Sequence, residues 1–545
     1  MRVNFKYIFI LLLISYVYLM LGNGVLSLTN PDEVFYVQTA KEMMHQKTWL
    51  VPYLFDQPQF EKPILLYWLL RVSFIIFGVT SFGSRFFPAA FGMIGVLAVY
   101  LLTFMAFKDN RKAFISGLVL SSAGFYVGMT RTVFTDMIFS VFILLSLVSF
   151  YWGYSDKKRK STAILGFFIF AGLAVLTKGP LGALIPMAAV ALFLLLRKQI
   201  GFMFCRPALL GVAVFSAISL PWYIYIIQKY GNAFIQEFFV NDHVRRLLSS
   251  EHSSNDTWYF YPFSMIACMF PWSLFVIFAF WRLVKKISDK ASPAYLFLAS
   301  WLIMVFLAFQ FAHSKLVSYI LPLFPALAII TADFLDDCII NKRKIITVLS
   351  AGLWVLFVLF PIALIIGSFK YPDYVPSRVP VYIFAGFEFV LMAAMVYAII
   401  KKKYMLNIYI VSLFVPLLIC FAFLSSNSYL SSVSSKKACE FLLNNYEVKG
   451  RILCSKMFAR GVRFGTDMPV AVINIGGKQF FSPHPIPVLD SDDKAIDFLK
   501  KQKVTYCIVS KGIVSTLERF AAKQGFTLEK LRVEGNEYIL RVTKK

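Results

Sequence analysis

Two clusters that together hold three carboxylates and a lysine stand within residues 28–68 of a chain otherwise dominated by hydrocarbon. Asp32 and Glu33 follow the turn signal Asn30-Pro31, and Glu61 and Lys62 form a second cluster closed by Pro63. A carboxylate can take the proton of an attacking hydroxyl and a lysine can neutralise a phosphate, so the two clusters together read as a catalytic loop. A capping role stays open for Asp32, since Asp after Asn-Pro suits a helix starting near Val34. Later polar residues fit the same chemistry: Arg131 and Asp136, Lys178 in Lys-Gly-Pro, Asp242 and His243, Arg245 and Arg246, and Tyr319.

Residues so far apart in sequence need a scaffold to gather them. The chain has 545 residues, 59% of them apolar, and a mean hydropathy of +0.70, the signature of a polytopic α-helical membrane protein. Its net charge of +26 forms no single patch for nucleic acid. Many of the basic residues instead sit in clusters at the ends of apolar runs, where they act as topology signals. The first run, 7–28, shows no small-residue cleavage site and is expected to be a retained helix. Residues 63–79 are expected to lie along the outer surface, because a crossing there would place Lys108, Arg111 and Lys112 outside. Further spans are expected near 87–107, 113–130, 135–154, 162–177, 181–196, 207–227, 262–281, 294–312, 318–335, 345–367, 381–400 and 405–424, giving 13 in all. All the polar residues singled out above then reach the outer face. Lys178 falls between two spans shorter than the roughly 20 residues needed to cross hydrocarbon, so it is recessed and requires an anion, either donor phosphate or Asp136.

The chain divides into a transmembrane unit, 1–425, and an outer unit, 426–545, where composition shifts. Strand-like runs at 451–455, 470–475, 505–510 and 538–542 alternate with helical patterns at 494–503 and 514–524, which indicates a small α/β domain. Its 20 Lys+Arg against 11 Asp+Glu leave it at +9, suited to an anionic lipid surface. The seven cysteines show no CxxC spacing, allow at most one bridge outside, and support no cysteine metal site.

An outer-face site excludes nucleotide-dependent chemistry, and the sequence has neither a Walker motif nor a dinucleotide fingerprint, so no nucleotide cofactor is expected. A polyprenyl phosphate, which carries an activated sugar at the membrane surface, is the natural donor. A flippase for such lipids would need polar groups through the midplane and paired repeats, and neither is seen.

The stretches Asn30-Pro31-Asp32-Glu33, Phe60 to Trp68, Arg131 to Asp136, Leu176 to Pro180, Phe238 to Arg246 and Ser314 to Pro322 give the chain a resemblance to a known family. It resembles the lipid A aminoarabinose transferases, bacterial relatives of the protein O-mannosyltransferases with the GT-C membrane fold. The resemblance implies a general base at Asp32, supported by Glu33, and an acceptor- or sugar-binding acid at Asp136. It implies donor-phosphate binding by Lys62, Arg246 and Tyr319, with Lys178 beside them and Arg245 able to replace Arg246 in register. Glu61 and His243 match a divalent-metal site, zinc or manganese by ligand type. Plainer readings of the residues stand beside these: ion pairing for Glu61 and for Asp136 with Arg131, snorkelling for Lys62 and Arg246, and the aromatic belt for Tyr319. Ile64 departs from the second proline common in the relatives. The activity implied is an inverting transfer, by a monomer, of 4-amino-4-deoxy-L-arabinose from a polyprenyl phosphate to lipid A. It would take place at the outer face of a bacterial inner membrane. An oligosaccharide, core sugar or protein acceptor is the alternative.

Overall fold

The computed structural model describes residues 2–250, 253–289, 292–370, 377–426, 433–477 and 486–544. The membrane unit begins with α1 (Phe5–Ser15), which loosens into a π turn at Tyr16–Met20, and continues through the surface helices α2 (Asp32–His45) and α3 (Leu65–Phe77). A two-stranded hairpin, β1 (Tyr53–Leu54) and β2 (Gln57–Pro58), lies between the last two. Next come α4 (Ser81–Phe107), α5 (Asn110–Ser121), α6 (Gly124–Thr130), α7 (Thr135–Ser155), α8 (Lys160–Lys178), α9 (Leu181–Leu196) and α10 (Arg206–Tyr230). Local signals set the ends: the Thr80 side chain caps α4 through the Gly83 N–H, and Asp109 caps α5 through Arg111 and Lys112.

Among the described residues, nine helices are long and apolar enough to cross a membrane, or ten if the bent pair α5 and α6 is one span. The chain is a multi-span membrane protein. The other three expected spans are shorter or broken. Phe5–Met20 and Leu181–Leu196 are apolar but short, and 262–281 divides into Phe260–Ala267 and Ser273–Ser288. The helix expected at 63–79 is α3, apolar and shorter than a full span.

The end of the bundle away from α2 is tied by ion pairs. Asp333 takes Lys112 at 2.5 Å and Arg282 at 2.6 Å, and Asp336 takes Arg111 at 2.7 Å. These acids sit near the end of the helix Phe324–Ile340, roughly 20 Å along its axis from Tyr319. They join helix ends at the side of the bundle opposite Tyr319.

The C-terminal unit carries β3 (Ile452–Ser455), β4 (Val470–Ile473), β5 (Val488–Leu489), β6 (Val504–Val509), β7 (Phe526–Glu534) and β8 (Glu537–Lys544), in the order β5-β4-β3-β6-β8-β7. The first four in that order run parallel, and β8 joins β6 and β7 antiparallel. Strand periodicity divides the faces. Ile452, Cys454, Val470, Val472 and Ile508 belong to a core continuous with the membrane unit, while Leu453, Ala471, Ile473, Cys507 and Val509 form a second core with residues of Asp492–Lys501 and Lys511–Gln524. Both faces are covered, which is why these strands read as unbroken apolar runs. None of the seven cysteines is bridged.

Candidate active site

Glu33 anchors the loop that carries Asp32. It is wholly buried, and its carboxylate accepts from Arg85 Nε at 2.8 Å and Nη2 at 2.6 Å, from Thr29 N and Oγ1 at 2.9 Å, and from Val133 N at 3.0 Å. Arg85, on α4, also donates to the carbonyls of Asn23, Leu26 and Ser27. One ion pair therefore fixes 23–29 and the start of α2 against α4. Asp32 is the first residue of α2, where Pro31 is the cap residue and no side chain caps the helix, so the capping role is not realised.

Asp32 faces a cavity of about 430 Å³, shared with Glu61, Lys62, Asp136, Lys178, Asp242, His243, Arg246 and Tyr319. Eight of the ten residues given a role by the resemblance thus meet in one space, and Asp242 joins them. Glu33 lies behind the wall, paired with Arg85. Arg245 is the correction: it is exposed and outside the lining, because the turn that aims Arg246 inward points its neighbour away.

A π-helical turn, Ile235–Arg245, supplies Asp242 and His243, and its wider spacing leads into Arg246. Asp242 accepts from Lys62 Nζ at 2.5 Å and pairs with Arg246 Nε at 2.9 Å, and Arg246 Nη1 donates to Tyr319 Oη at 3.0 Å. Burial pushes the Asp242 carboxyl up, but Lys62 and Arg246 more than reverse this and hold it below the usual carboxylate range. Two cations around one carboxylate leave the cluster at +1.

Lys178 ends α8 and Asp136 starts α7. The antiparallel hairpin of these helices brings the two together, so Lys178 donates to Asp136 in place of the Arg131 pairing left open from sequence. Arg131 instead donates to the carbonyls of Tyr18 and Leu21 at 2.9 Å, where α1 unwinds. Gly179, at φ +99°, permits the close turn: a methyl group there would sit 2.8 Å from His243 Nε2.

His243 Nδ1 donates to the Phe238 carbonyl at 2.7 Å, which leaves the lone pair on Nε2. Burial lowers its pKa, with Asp242 and the Phe238 carbonyl opposing. Burial raises Glu61, with Arg460 and Lys62 opposing. A neutral imidazole and a buried carboxylate suit a divalent cation in chemistry, but two ligands do not close a site. Among the described residues no three His, Cys, Asp or Glu side chains converge as a metal site.

Glu237, absent from the sequence reading, accepts from Phe60 N at 3.0 Å behind the Glu61 loop. Burial pushes it up to about 7, the Phe60 N–H opposes, Glu61 and Asp242 add to the rise, and Lys62 opposes. A carboxyl raised in the folded state contributes stability that is lost as pH climbs from its ordinary value, about 4.3, through the folded one. Wild type should therefore lose more thermal stability than Glu237→Gln between about pH 5 and pH 8. A difference in Tm between them that stays constant over that interval would contradict this assignment.

Comparison with known proteins adds the following. The family description "Dolichyl-phosphate-mannose-protein mannosyltransferase" matches residues 4–234. An uncharacterized protein of Aquifex aeolicus is 32% identical over 365 residues, 67% of this chain and 70% of its own length. The undecaprenyl phosphate-alpha-4-amino-4-deoxy-L-arabinose arabinosyl transferase of Enterobacter sp. is 30% identical over 387 residues, 68% of each chain. The aligned share falls to 52% of a similarly named transferase from Pseudomonas fluorescens. The crystal structure of ArnT from Cupriavidus metallidurans bound to undecaprenyl phosphate superposes with TM-score 0.79 at 18% identity, over 98% of this chain and 97% of that one. This last likeness establishes the fold.

Proposed function

The chain belongs to the family of the undecaprenyl phosphate-α-4-amino-4-deoxy-L-arabinose arabinosyl transferases, polyprenyl-phosphate-dependent membrane glycosyltransferases, and we propose that it transfers that sugar from undecaprenyl phosphate to lipid A. In this reading the cavity and the C-terminal unit face the periplasmic side of a bacterial inner membrane. The observation that supports it is the cluster Lys62–Asp242–Arg246–Tyr319 in the same cavity as Asp32. Its charge of +1 matches the single negative charge of a sugar phosphodiester.

In the reaction, an acceptor oxygen attacks the anomeric carbon while Asp32 takes its proton. The bond from that carbon to the lipid phosphate oxygen breaks, its electron pair stays on the oxygen, and the sugar inverts. Polyprenyl phosphate thereby gains a second negative charge, which Lys62, Arg246 and the Tyr319 hydroxyl stabilise more strongly than the ground state. Asp136, oriented by Lys178, is placed to hold the sugar's amine or hydroxyls.

Donor recognition is tested by binding. Lys62→Met should weaken undecaprenyl phosphate binding to the purified protein by about 10- to 100-fold, the range for losing a charge-assisted contact. Unchanged affinity would remove this cluster as the donor site.

A further inference from the structure

One wall of the cavity comes from the far end of the sequence. Arg460 belongs to the helix Ala459–Thr466 of the C-terminal unit, yet it lines the cavity with Asp32, Phe35 and Glu61. Its guanidinium lies 4.7 Å from the Phe35 ring centroid, and Nη1 stands 3.5 Å from the Pro31 carbonyl oxygen. Stacking of this kind orients a guanidinium at little entropic cost.

The helix that carries Arg460 is registered closely on α2. Arg463 pairs with Glu42 at 3.3 Å and with Asp56 at 2.7 Å, and Lys41 pairs with Asp467 at 2.6 Å. Gly461 sits so close to the Asp32 loop that a Cβ there would come within 2.0 Å of Asn30 Oδ1. Asn30 also receives the unit through its N–H to the Val433 carbonyl at 2.8 Å and its Nδ2 to Ser435 Oγ at 2.6 Å. The contacts converge on the two residues before Asp32, so the docked unit sets Arg460 beside the base.

The donor phosphate already has Lys62 from the loop before α3, Arg246 directly after the π-helical turn, and Tyr319 from the segment Val317–Leu323. A second guanidinium, on the wall beside Asp32, matches a second anion, and in a transfer reaction that anion belongs to the acceptor. We propose that Arg460 binds a phosphate of the acceptor lipid next to Asp32, which makes the C-terminal unit the part of the protein that selects phosphorylated acceptors. A planar fork of donors fits a phosphate monoester in two-point contact. The +9 charge of residues 426–545 favours the same partner. This inference rests on the transferase reading above.

The test uses the full chain in lipid nanodiscs with undecaprenyl-phosphate aminoarabinose as donor. Acceptors are lipid A with two phosphates and lipid A with one removed, and wild type is compared with Arg460→Gln and Arg460→Lys. Arg460→Gln should raise the KM for bisphosphorylated lipid A by about 10- to 100-fold. It should also reduce the preference over the monophosphorylated form and leave the affinity for undecaprenyl phosphate unchanged, with part of the loss restored in Arg460→Lys. An unchanged KM and preference would overturn the proposal, and so would a loss confined to undecaprenyl phosphate affinity, which would make Arg460 a donor residue. If wild type transfers nothing, the transferase reading fails by itself. Binding of lipid A vesicles to wild type and Arg460→Gln, measured without donor, then still decides the role of Arg460, with equal binding overturning it.

Discussion

Asp32→Asn should reduce sugar transfer by about 10²- to 10⁴-fold, the contribution typical of a positioned general base. The substitution keeps the shape of the side chain at the first position of α2, where Pro31 and not Asp32 is the cap residue. Glu33, Arg85 and Thr29 hold the loop independently. The loss should therefore fall on the rate of transfer, with undecaprenyl phosphate affinity and Tm near those of wild type. Transfer at the wild-type rate would move the base elsewhere, and Asp136 is the next carboxylate in the cavity.

Arg85→Met should destabilise the protein by about 3–5 kcal/mol, the cost of leaving one member of a buried ion pair uncompensated. Arg85 is 3% exposed and Glu33 0% exposed, so neither charge can turn to water. The double change Arg85→Met with Glu33→Gln should recover much of the loss, because the cost lies in the stranded carboxylate more than in the absent attraction. Thermal unfolding of the two single variants and the double in the same detergent measures the coupling. Additive effects would mean that Glu33 and Arg85 do not act as a pair. Activity should fall along with stability in Arg85→Met, since the same pair positions Asp32.

The parts of this site that were legible in sequence share one property: they sit at span ends. Basic clusters set the expected sidedness of the spans, and that expectation places Asp32, Lys62, Asp136, Lys178, His243 and Tyr319 on one face. What gathers them within that face is tertiary. The Lys178–Asp136 pair depends on the α7–α8 hairpin, whereas the sequence offered the nearer Arg131 as partner for Asp136. Arg85 passed unnoticed inside an apolar helix, although a lone cation there signals an internal acid. Arg460 had no local signal, since its role depends on how a unit some 400 residues downstream docks on α2. In that unit the expected strand runs correspond to β3, β4, β6 and β8, whereas the two-residue β5 is too short to show a pattern and Glu529, Lys530, Arg532 and Glu534 interrupt that of β7 on an exposed edge. Glu388 is buried in the helix Val379–Ile400 with no hydrogen-bond partner for its carboxylate among the described residues.

The central claim is that one cavity holds a polyprenyl phosphate sugar at Lys62, Arg246 and Tyr319 while Asp32 activates an acceptor. The measurement that tests it most directly is mass spectrometry of lipid A after incubation with purified wild-type protein and undecaprenyl-phosphate aminoarabinose in a lipid bilayer. The account expects lipid A to gain one aminoarabinose residue and undecaprenyl phosphate to be released in equal amount. Donor that remains intact, or is cleaved with no sugar appearing on lipid A, would contradict it.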